Sequence, residues 1–553
     1  MKRLIKASML FMVAALFAAC ANEDITQDKK KENGTEAPKG GVVFATNDTK
    51  ISAKRRFIDE DEFAGAKTRT NIKHTPGNGA DAYWTNGDNI WVKDKNGNWQ
   101  QSTAITLHDG GASAEFTLPG SKADYADGCE VRYTGISGSV PSLGKHMLVS
   151  IATNQSRSVA NDFRYAGDWG DCGSGLAHNT GNPDKFNFTL VHKSSYLCFL
   201  PRCENGALAP NVRLKNIKIT VLNGGPISGL FIFDGENIGT GTPPVYNNIE
   251  VLLLNLPHLS TTANQTANAT YLAIPPGTYD FKIEYTINDP TTNVETVITD
   301  TKTNITLDKG KIYDVTANLS PKSLNYTPKN FKYHMWDAPY DYWYGYENEQ
   351  PTTNGAKGQH YPNNMSDPRW YNRSYPGYGI RNDAQTSIFQ PLPNANELWW
   401  YIYKGDPHWT EDVYEINGHL GRFSGLWLRK KSAIVAYLKT QGYPSNFSEN
   451  DLKESYKDSP SATPVDYRSV AGFIFNYIPA QGTPASTTDY FFLPALGSYY
   501  EGRLNSFSFG GMYWSSSAAT WGGFYAYYLS FSRNGIDVNN AARYTGCVPR
   551  VFE

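Results

Sequence analysis

The sequence predicts a mainly β protein, and three observations support that fold class. Short apolar or alternating runs recur along most of the 553 residues, and clusters of Gly, Asn and Asp separate them as turns do. Residues 41–183 contain no long segment with a helical period. Charged residues make up only 19% of the chain while aromatic residues make up 14%, which is typical of an extracellular, β-rich protein.

The first twenty residues have the pattern of an exported lipoprotein. A basic start precedes a short apolar run that ends in small residues and Cys20, in the sequence MKRLIKASMLFMVAALFAAC. This run is too short to span a bilayer stably as a helix. The ending resembles a bacterial lipobox, and the acidic residues after it resemble the surface-export signal of Bacteroidetes lipoproteins. The resemblance implies lipidation of Cys20 and a place on the outer membrane at the cell surface. The alternative is an ordinary signal peptide followed by a chance cysteine.

The rest of the chain divides by composition into four segments. Residues 21–40 are polar and charged, as expected of a flexible tether. Strand-like runs in residues 41–185 and again in 186–320 predict two successive β-sandwich domains. Residues 321–553 hold 9 of the 13 Trp and 26 of the 36 Tyr, which marks them as a separate module.

Four segments in residues 41–320 resemble the Bacteroides fimbrillin-like (Mfa-like) family. They are KTRTNIKHTPGNGADAYWTNGDNIWVKD at 67–94, FNFTLVHKSSYLCFL at 186–200, YLAIPPGTYDFKIEYT at 271–286 and LDKGKIYDVTANLS at 307–320. The resemblance implies two transthyretin-like β-sandwich domains and a role as a pilus subunit in a fimbrium.

The end of the chain is similar to the Fibrobacter major paralogous module that is often attached to fimbrillin-like proteins. The similarity covers about residues 391–553 and includes the YWSSS block at 513–517. It implies an α+β, C-type-lectin-like fold. Helical spacing of apolar residues predicts helices within 396–406 and 424–439.

The motifs of common enzyme and cofactor sites are missing from the sequence. It has no GxSxG, HExxH, Walker A or Rossmann pattern, and no histidine follows His419. We therefore expect no enzyme, no catalytic residue, no metal site and no cofactor. A net charge of −2 gives no basic field, so nucleic acid is not an expected partner. Two cysteine pairings remain open, Cys198 with Cys203 and Cys129 with Cys172.

A dense aromatic run opens the last module and supplies the candidate ligand-binding residues. Sugar rings stack on Trp and Tyr faces, so the run is a candidate surface for a host or bacterial glycan or protein. The alternative is that these side chains pack over the core as a lid. The candidates are Trp336, Tyr340, Tyr342, Trp343, Tyr344 and Tyr346.

The fimbrillin resemblance also implies processing and assembly. Family pilins arrive as lipoproteins and are cut after an arginine, which removes a first strand and opens a groove for a strand of the next subunit. Here the candidate strand is VVFA at 42–45, and the candidate cut sites are Arg56 and Arg69. The extension after residue 320 obstructs donation of a C-terminal strand, which favours a tip adhesin. The alternative is a glycan-binding lipoprotein that stays anchored through Cys20.

Overall fold

The computed structural model describes residues 41–46, 71–75, 79–135, 144–164 and 166–553. The mainly β prediction is confirmed, with 44% of residues in strands and 11% in helices. Cys20, Arg56 and Arg69 lie outside the described residues, as do the leader and the tether.

Most strands of the first part of the chain belong to one large sheet. The sheet has nine strands in the order β5-β4-β8-β11-β12-β1-β7-β6, with β13 paired to β11. Its inner face buries a compact aromatic and aliphatic core that includes Phe44, Trp84 and Phe116. The strands of this region are β1 (Val42–Thr46), β2 (Asn71–Thr75), β3 (Gly79–Tyr83), β4 (Trp91–Lys93), β5 (Trp99–Gln101), β6 (Ala104–His108), β7 (Ser113–Leu118), β8 (Cys129–Tyr133), β9 (Leu148–Ile151), β10 (Asn154–Arg157), β11 (Gly173–Asn179), β12 (Lys185–Phe188) and β13 (Val191–His192).

The second part forms smaller sheets around a larger aliphatic core. Every second residue is buried along β20 and, from Ile217 to Val221, along β15, as a half-covered strand requires. The sheet orders are β10-β18-β15-β20-β21, β19-β14-β22 and β17-β16-β9. The elements are β14 (Ser195–Arg202), β15 (Arg213–Asn223), β16 (Ser228–Phe233), β17 (Ile238–Tyr246), β18 (Asn248–Leu253), the short helix α1 (Gln265–Asn268), β19 (Thr270–Ile274), β20 (Gly277–Asp289), β21 (Val294–Leu307) and β22 (Ile312–Asn318).

Strand pairing crosses the position where we placed the first domain boundary. Residues 185 and 186 both lie within β12, which belongs to the first sheet. In the other direction, β9 and β10 pair with β16 and β18 of the second part. The two parts therefore exchange strands around residues 148–192.

The last part combines helices with two antiparallel-rich sheets, in the orders β26-β23-β24-β27 and β25-β32-β31-β30-β28-β29. A helix lies close to the predicted 396–406, where Asn394 and Glu397 form a capping box. The elements are α2 (Ala395–Lys404), β23 (His408–Ile416), β24 (His419–Arg429), α3 (Lys431–Thr440), α4 (Glu449–Glu454), β25 (Ile474–Tyr477), β26 (Ala480–Gln481), β27 (Tyr490–Pro494), β28 (Leu496–Tyr500), β29 (Arg503–Phe507), β30 (Gly510–Ala518), β31 (Tyr525–Ser532) and β32 (Gly535–Ala542).

The helix expected over 424–439 begins later than predicted. Residues 424–429 belong to β24, and only α3 is helical. In the segment Gly-Leu-Trp-Leu-Arg, both Leu426 and Leu428 point inward and are fully buried, while Trp427 between them is less buried. This period of two outweighs the i, i+4 spacing from which we predicted the helix.

The tip of the β23–β24 hairpin docks the last part onto the second part. Asn417 and Gly418 make the tight turn, and both have positive φ, as a type I′ hairpin turn requires. Leu420, just after the turn, is fully buried among the aliphatic residues of the second part. Asp289 at the end of β20 accepts hydrogen bonds from His419 Nδ1 at 2.8 Å and from the Leu420 amide at 3.1 Å.

Candidate functional site

The first described strand, β1, occupies a central slot in the nine-stranded sheet. It pairs in parallel with β12 and antiparallel with β7, with four residue pairs on each side. Both of its backbone edges are therefore used. Removing β1 would leave two unpaired edges facing each other across a gap one strand wide.

The side chains of β1 fill the core beneath this slot. Phe44 is fully buried and stacks on Phe186 of β12, with 4.9 Å between ring centroids. Its edge also meets Tyr125, at 5.2 Å. Val42 is buried as well, whereas Val43 is only half-buried on the opposite face of the strand. Phe44 is therefore the main apolar anchor of β1.

An ion pair crosses over the outer face of β1. Lys185 of β12 pairs in register with Val43, and Glu115 of β7 pairs with Ala45. Lys185 Nζ reaches over the strand to Glu115 Oε1 at 2.6 Å. The hydrogen bond from Lys185 lowers the pKa of Glu115 despite partial burial. Both side chains are about one third exposed, so this ion pair, which we call the strap, contributes at most about 1 kcal/mol to holding β1 in place.

Three of the six predicted ligand-binding aromatics are core residues, which corrects that prediction for Trp336, Tyr342 and Trp343. All three are 0% exposed and offer no face to a ligand. The Trp336 indole donates to the Ser515 carbonyl at 3.0 Å, and the Arg543 guanidinium lies 4.5 Å from its ring centroid. For these residues the lid alternative is the correct one, because the aromatic run covers the core of the last part.

The other three predicted aromatics lie at the surface. Tyr340 and Tyr344 stack on each other with 4.7 Å between ring centroids, and both are more than 40% exposed. Tyr346 stacks on His360 at 4.8 Å, with Arg369 over its ring at 5.0 Å. These rings form a small surface patch, but no cavity among those described opens beside them.

A cleft that we did not predict opens between the end of β24, the outer side of α3 and the loop before β27. Its volume is about 740 Å³, within the range of small-ligand sites. The rings of Tyr437 and Tyr490 line it, and the Arg429 guanidinium lies 4.9 Å and 5.8 Å from their centroids.

A carboxylate at the rim of this cleft is held by the same groups. Asp406 Oδ2 accepts hydrogen bonds from the Tyr490 hydroxyl at 2.5 Å and from Arg429 at 3.1 Å. Burial opposes ionisation of Asp406, but these partners outweigh it and lower its pKa. The cleft therefore combines flat aromatic faces with a fixed charged rim, which is the combination that a sugar or another polar ligand requires. The sequence signal was weak, since these residues come from 406, 429, 437 and 490.

The cysteines of the described residues form no disulfide bond with one another. Cys129, Cys172, Cys198, Cys203 and Cys547 are all buried thiols, so neither pairing left open by the sequence is formed. Burial raises the pKa of Cys129 to about 11, which keeps it a protonated, unreactive thiol at neutral pH. In the described part of the chain, no helix combines the length and apolar character needed to cross a bilayer.

Comparison with solved structures returns cell adhesion and fimbrial proteins of Bacteroides. A candidate cell adhesion protein from Bacteroides ovatus is 14% identical, with 50% of this chain and 92% of that chain covered and a TM-score of 0.28. A similar protein from Bacteroides fragilis is 12% identical over 50% and 92% of the two chains, with a TM-score of 0.28. A fimbrial protein from Bacteroides ovatus is 12% identical over 92% and 99%, with a TM-score of 0.23.

No protein-family model matches the chain, and no curated protein matches it either. Fold and site together define a class: a mainly β protein with a short N-terminal strand in a central slot and an aromatic-rich C-terminal part that contains an open cleft.

Proposed function

We propose that this protein is a non-enzymatic, cell-surface fimbrial subunit that is assembled by strand addition and carries a ligand-binding head. The observation that carries the proposal is the position of β1. It is the first described strand, it is paired on both edges, and it is followed by residues 47–70, which contain Arg56 and Arg69. A cut after either arginine separates β1 from the rest of the chain and leaves a slot that accepts a neighbour's strand.

Strand addition at this slot is energetically favourable for a physical reason. When β1 is removed, water reaches the space that the Phe44 side chain had filled and the unpaired backbone groups of β7 and β12. An incoming strand with an apolar side chain at that position buries both again, so it replaces backbone hydrogen bonds and apolar contact together.

The docked C-terminal part supports a position at the end of the pilus. The last strand of the second part, β22, continues directly through the buried Leu319 into the last part. That part is then fixed by the β23–β24 hairpin, where Leu420 is buried and Asp289 binds the turn. A strand anchored at both ends is not a free tail, so this subunit receives a strand but does not donate β22.

The ligand-binding head is the last part of the chain, residues 321–553. We propose the cleft at Tyr437 and Tyr490 as its ligand site and a glycan as the class of ligand. The aromatic faces stack on the apolar face of a sugar ring, and Arg429 and Asp406 bind its hydroxyl groups. The stacked pair Tyr340 and Tyr344 is the competing surface.

Sequencing the N-terminus of the mature protein, released from the cell surface, tests assembly. We expect Phe57 or Thr70 as the first residue. A lipidated Cys20 on all of the surface protein would contradict assembly by cleavage and favour the permanently anchored alternative. Labelling that shows the subunit spaced along the pilus shaft would contradict the tip position.

A glycan array probed with the full chain tests the head. We expect Tyr437→Ala to abolish the signal and Tyr344→Ala to retain it, since only Tyr437 lines the cleft. The opposite result would move the site to the surface pair, and silence with the parent protein would contradict a glycan ligand.

A further inference from the structure

Three metal-ligating side chains from distant parts of the sequence meet in the interior, away from both the slot and the cleft. They are His74 on β2, Cys198 on β14 and Asp314 on β22, and all three are buried. One ligand atom from each lies within 4.8 Å of the others. His74 and Asp314 are 240 residues apart, and His74 Nε2 lies 2.7 Å from Asp314 Oδ1.

The strand register explains why two of these side chains are neighbours. Cys198 and Asp314 are direct partners across the parallel pair β14 and β22, so they project from the same face of the β19-β14-β22 sheet. Tyr271 of β19 is the partner of Cys198 on its other side and projects from that face too. His74 approaches from above, with its ring edge-on to Tyr271 at 6.0 Å between centroids.

The two-stranded hairpin of β2 and β3, which carries His74, depends on contacts with the rest of the fold to hold it in place. The strands β2 and β3 pair only with each other among the described strands, and a lone two-stranded hairpin is marginally stable. The hairpin lies over the sheet through small side chains, Ala80 and Ala82, which bury little apolar area. The contact of His74 Nε2 with Asp314 Oδ1 and the hydrogen bond from Gln265 to the His74 carbonyl are therefore important attachments of the hairpin.

We propose that His74, Cys198 and Asp314 bind a zinc ion that fixes the β2–β3 hairpin to the β19-β14-β22 sheet. The donor set is the nitrogen, sulfur and oxygen set that zinc accepts. Zinc bonds of 2.0–2.3 Å in tetrahedral geometry place ligand atoms about 3.5 Å apart. To reach that spacing, the 2.7 Å between His74 Nε2 and Asp314 Oδ1 must widen by about 0.8 Å, and the other separations, which are at most 4.8 Å, must shorten by at most about 1.3 Å.

Charge balance also fits zinc. A neutral imidazole, a thiolate and a carboxylate carry two negative charges, which a divalent cation neutralises in a buried site. On binding, the Cys198 thiol proton leaves to solvent, and the imidazole proton resides on Nδ1 so that Nε2 presents its lone pair. Three protein ligands leave a fourth position on the metal. The proposal does not depend on the proposed function of the protein.

Metal content of the full chain tests the proposal. The protein is stripped with a chelator, incubated with zinc, desalted and assayed for metal. We expect about one zinc per chain for the parent and for Cys203→Ser, which removes a buried thiol outside the cluster. We expect at least a tenfold loss of affinity for Cys198→Ser and Asp314→Asn. No stoichiometric zinc in the parent, or equal binding by Cys198→Ser, would overturn the proposal.

Cobalt provides a second readout that does not need a destabilising variant. Cobalt bound to the parent and to Cys203→Ser should give a near-ultraviolet band from a thiolate ligand, and zinc should displace it. A cobalt spectrum without the thiolate band would overturn the assignment of Cys198 as a ligand, even if Cys198→Ser fails to fold.

Discussion

The contacts around β1 allow a quantitative prediction of how tightly this strand is held after the chain has been cut between β1 and β2. The test protein lacks the leader and carries a single site for a sequence-specific protease at Arg56. After cleavage, the fragment that contains β1 remains bound through backbone pairing and through Phe44. Gel filtration at successive times after cleavage gives the rate at which the fragment leaves the rest of the protein, and this rate measures how strongly β1 is held.

Phe44→Ala should accelerate that release strongly. Phe44 is fully buried and contacts Phe186 and Tyr125, so its truncation loses transfer free energy and leaves a cavity. Core Phe→Ala changes cost about 3–5 kcal/mol, which corresponds to about 100-fold to several thousand-fold in the dissociation constant. Most of such a change normally falls on the release rate.

Val43→Ala is the matched control on the same strand. Val43 is half-buried on the opposite face, so its truncation should cost no more than about 1 kcal/mol, or roughly fivefold. Equal release rates for the two variants would refute the argument, because Phe44 would then not be the anchor. A fragment that leaves the parent immediately would refute the view of β1 as a tightly held strand.

Three other parts of the molecule give further predictions. The pKa of Glu115 is lowered in the folded protein, so its ion pair with Lys185 is fully stabilising above the unfolded pKa of about 4.3 and is lost as the pH falls through the folded pKa. Release of β1 should then become faster by up to about fivefold at low pH, and Glu115→Gln should remove this pH dependence. Leu420→Ala should cost about 2–5 kcal/mol at the docked hairpin, measured as earlier protease cleavage between the second and last parts, and unchanged cleavage would contradict the docking. Trp336→Ala should lower the thermal midpoint by several degrees whereas Tyr344→Ala should leave it nearly unchanged, and equal shifts would contradict the burial assignment.

Local patterns predicted much of the fold because they report local physics. The alternation in β15 and the helical spacing over 396–406, where α2 lies, were visible in the sequence. The segment 424–429 misled us because an i, i+4 set and a period of two share several positions over so few residues. The Asn417-Gly418 dipeptide between alternating runs was the available signal for a hairpin there.

The sites were harder to predict because they depend on register and packing between distant segments. Aromatic density at 336–346 is compatible with a binding surface and with a lid, and only burial separates Trp336 from Tyr344. The cluster of His74, Cys198 and Asp314 has no spacing that a motif could capture. It arises because β14 and β22 pair in parallel and the β2–β3 hairpin lies over them.

The slot and the cluster lead to a final prediction about the segment that joins them. β1 lies in the first sheet, whereas β2 lies over the β19-β14-β22 sheet, so a cut in residues 47–70 leaves the hairpin at a new chain end. If zinc fixes His74 to that sheet, the amide protons of β2 should exchange equally slowly before and after the cut. Chelation should speed their exchange in the cut protein more than in the uncut one, because the hairpin then loses both attachments. Fast exchange in the cut protein despite bound zinc would show that the metal does not hold the hairpin, while leaving the release of β1 itself unaffected.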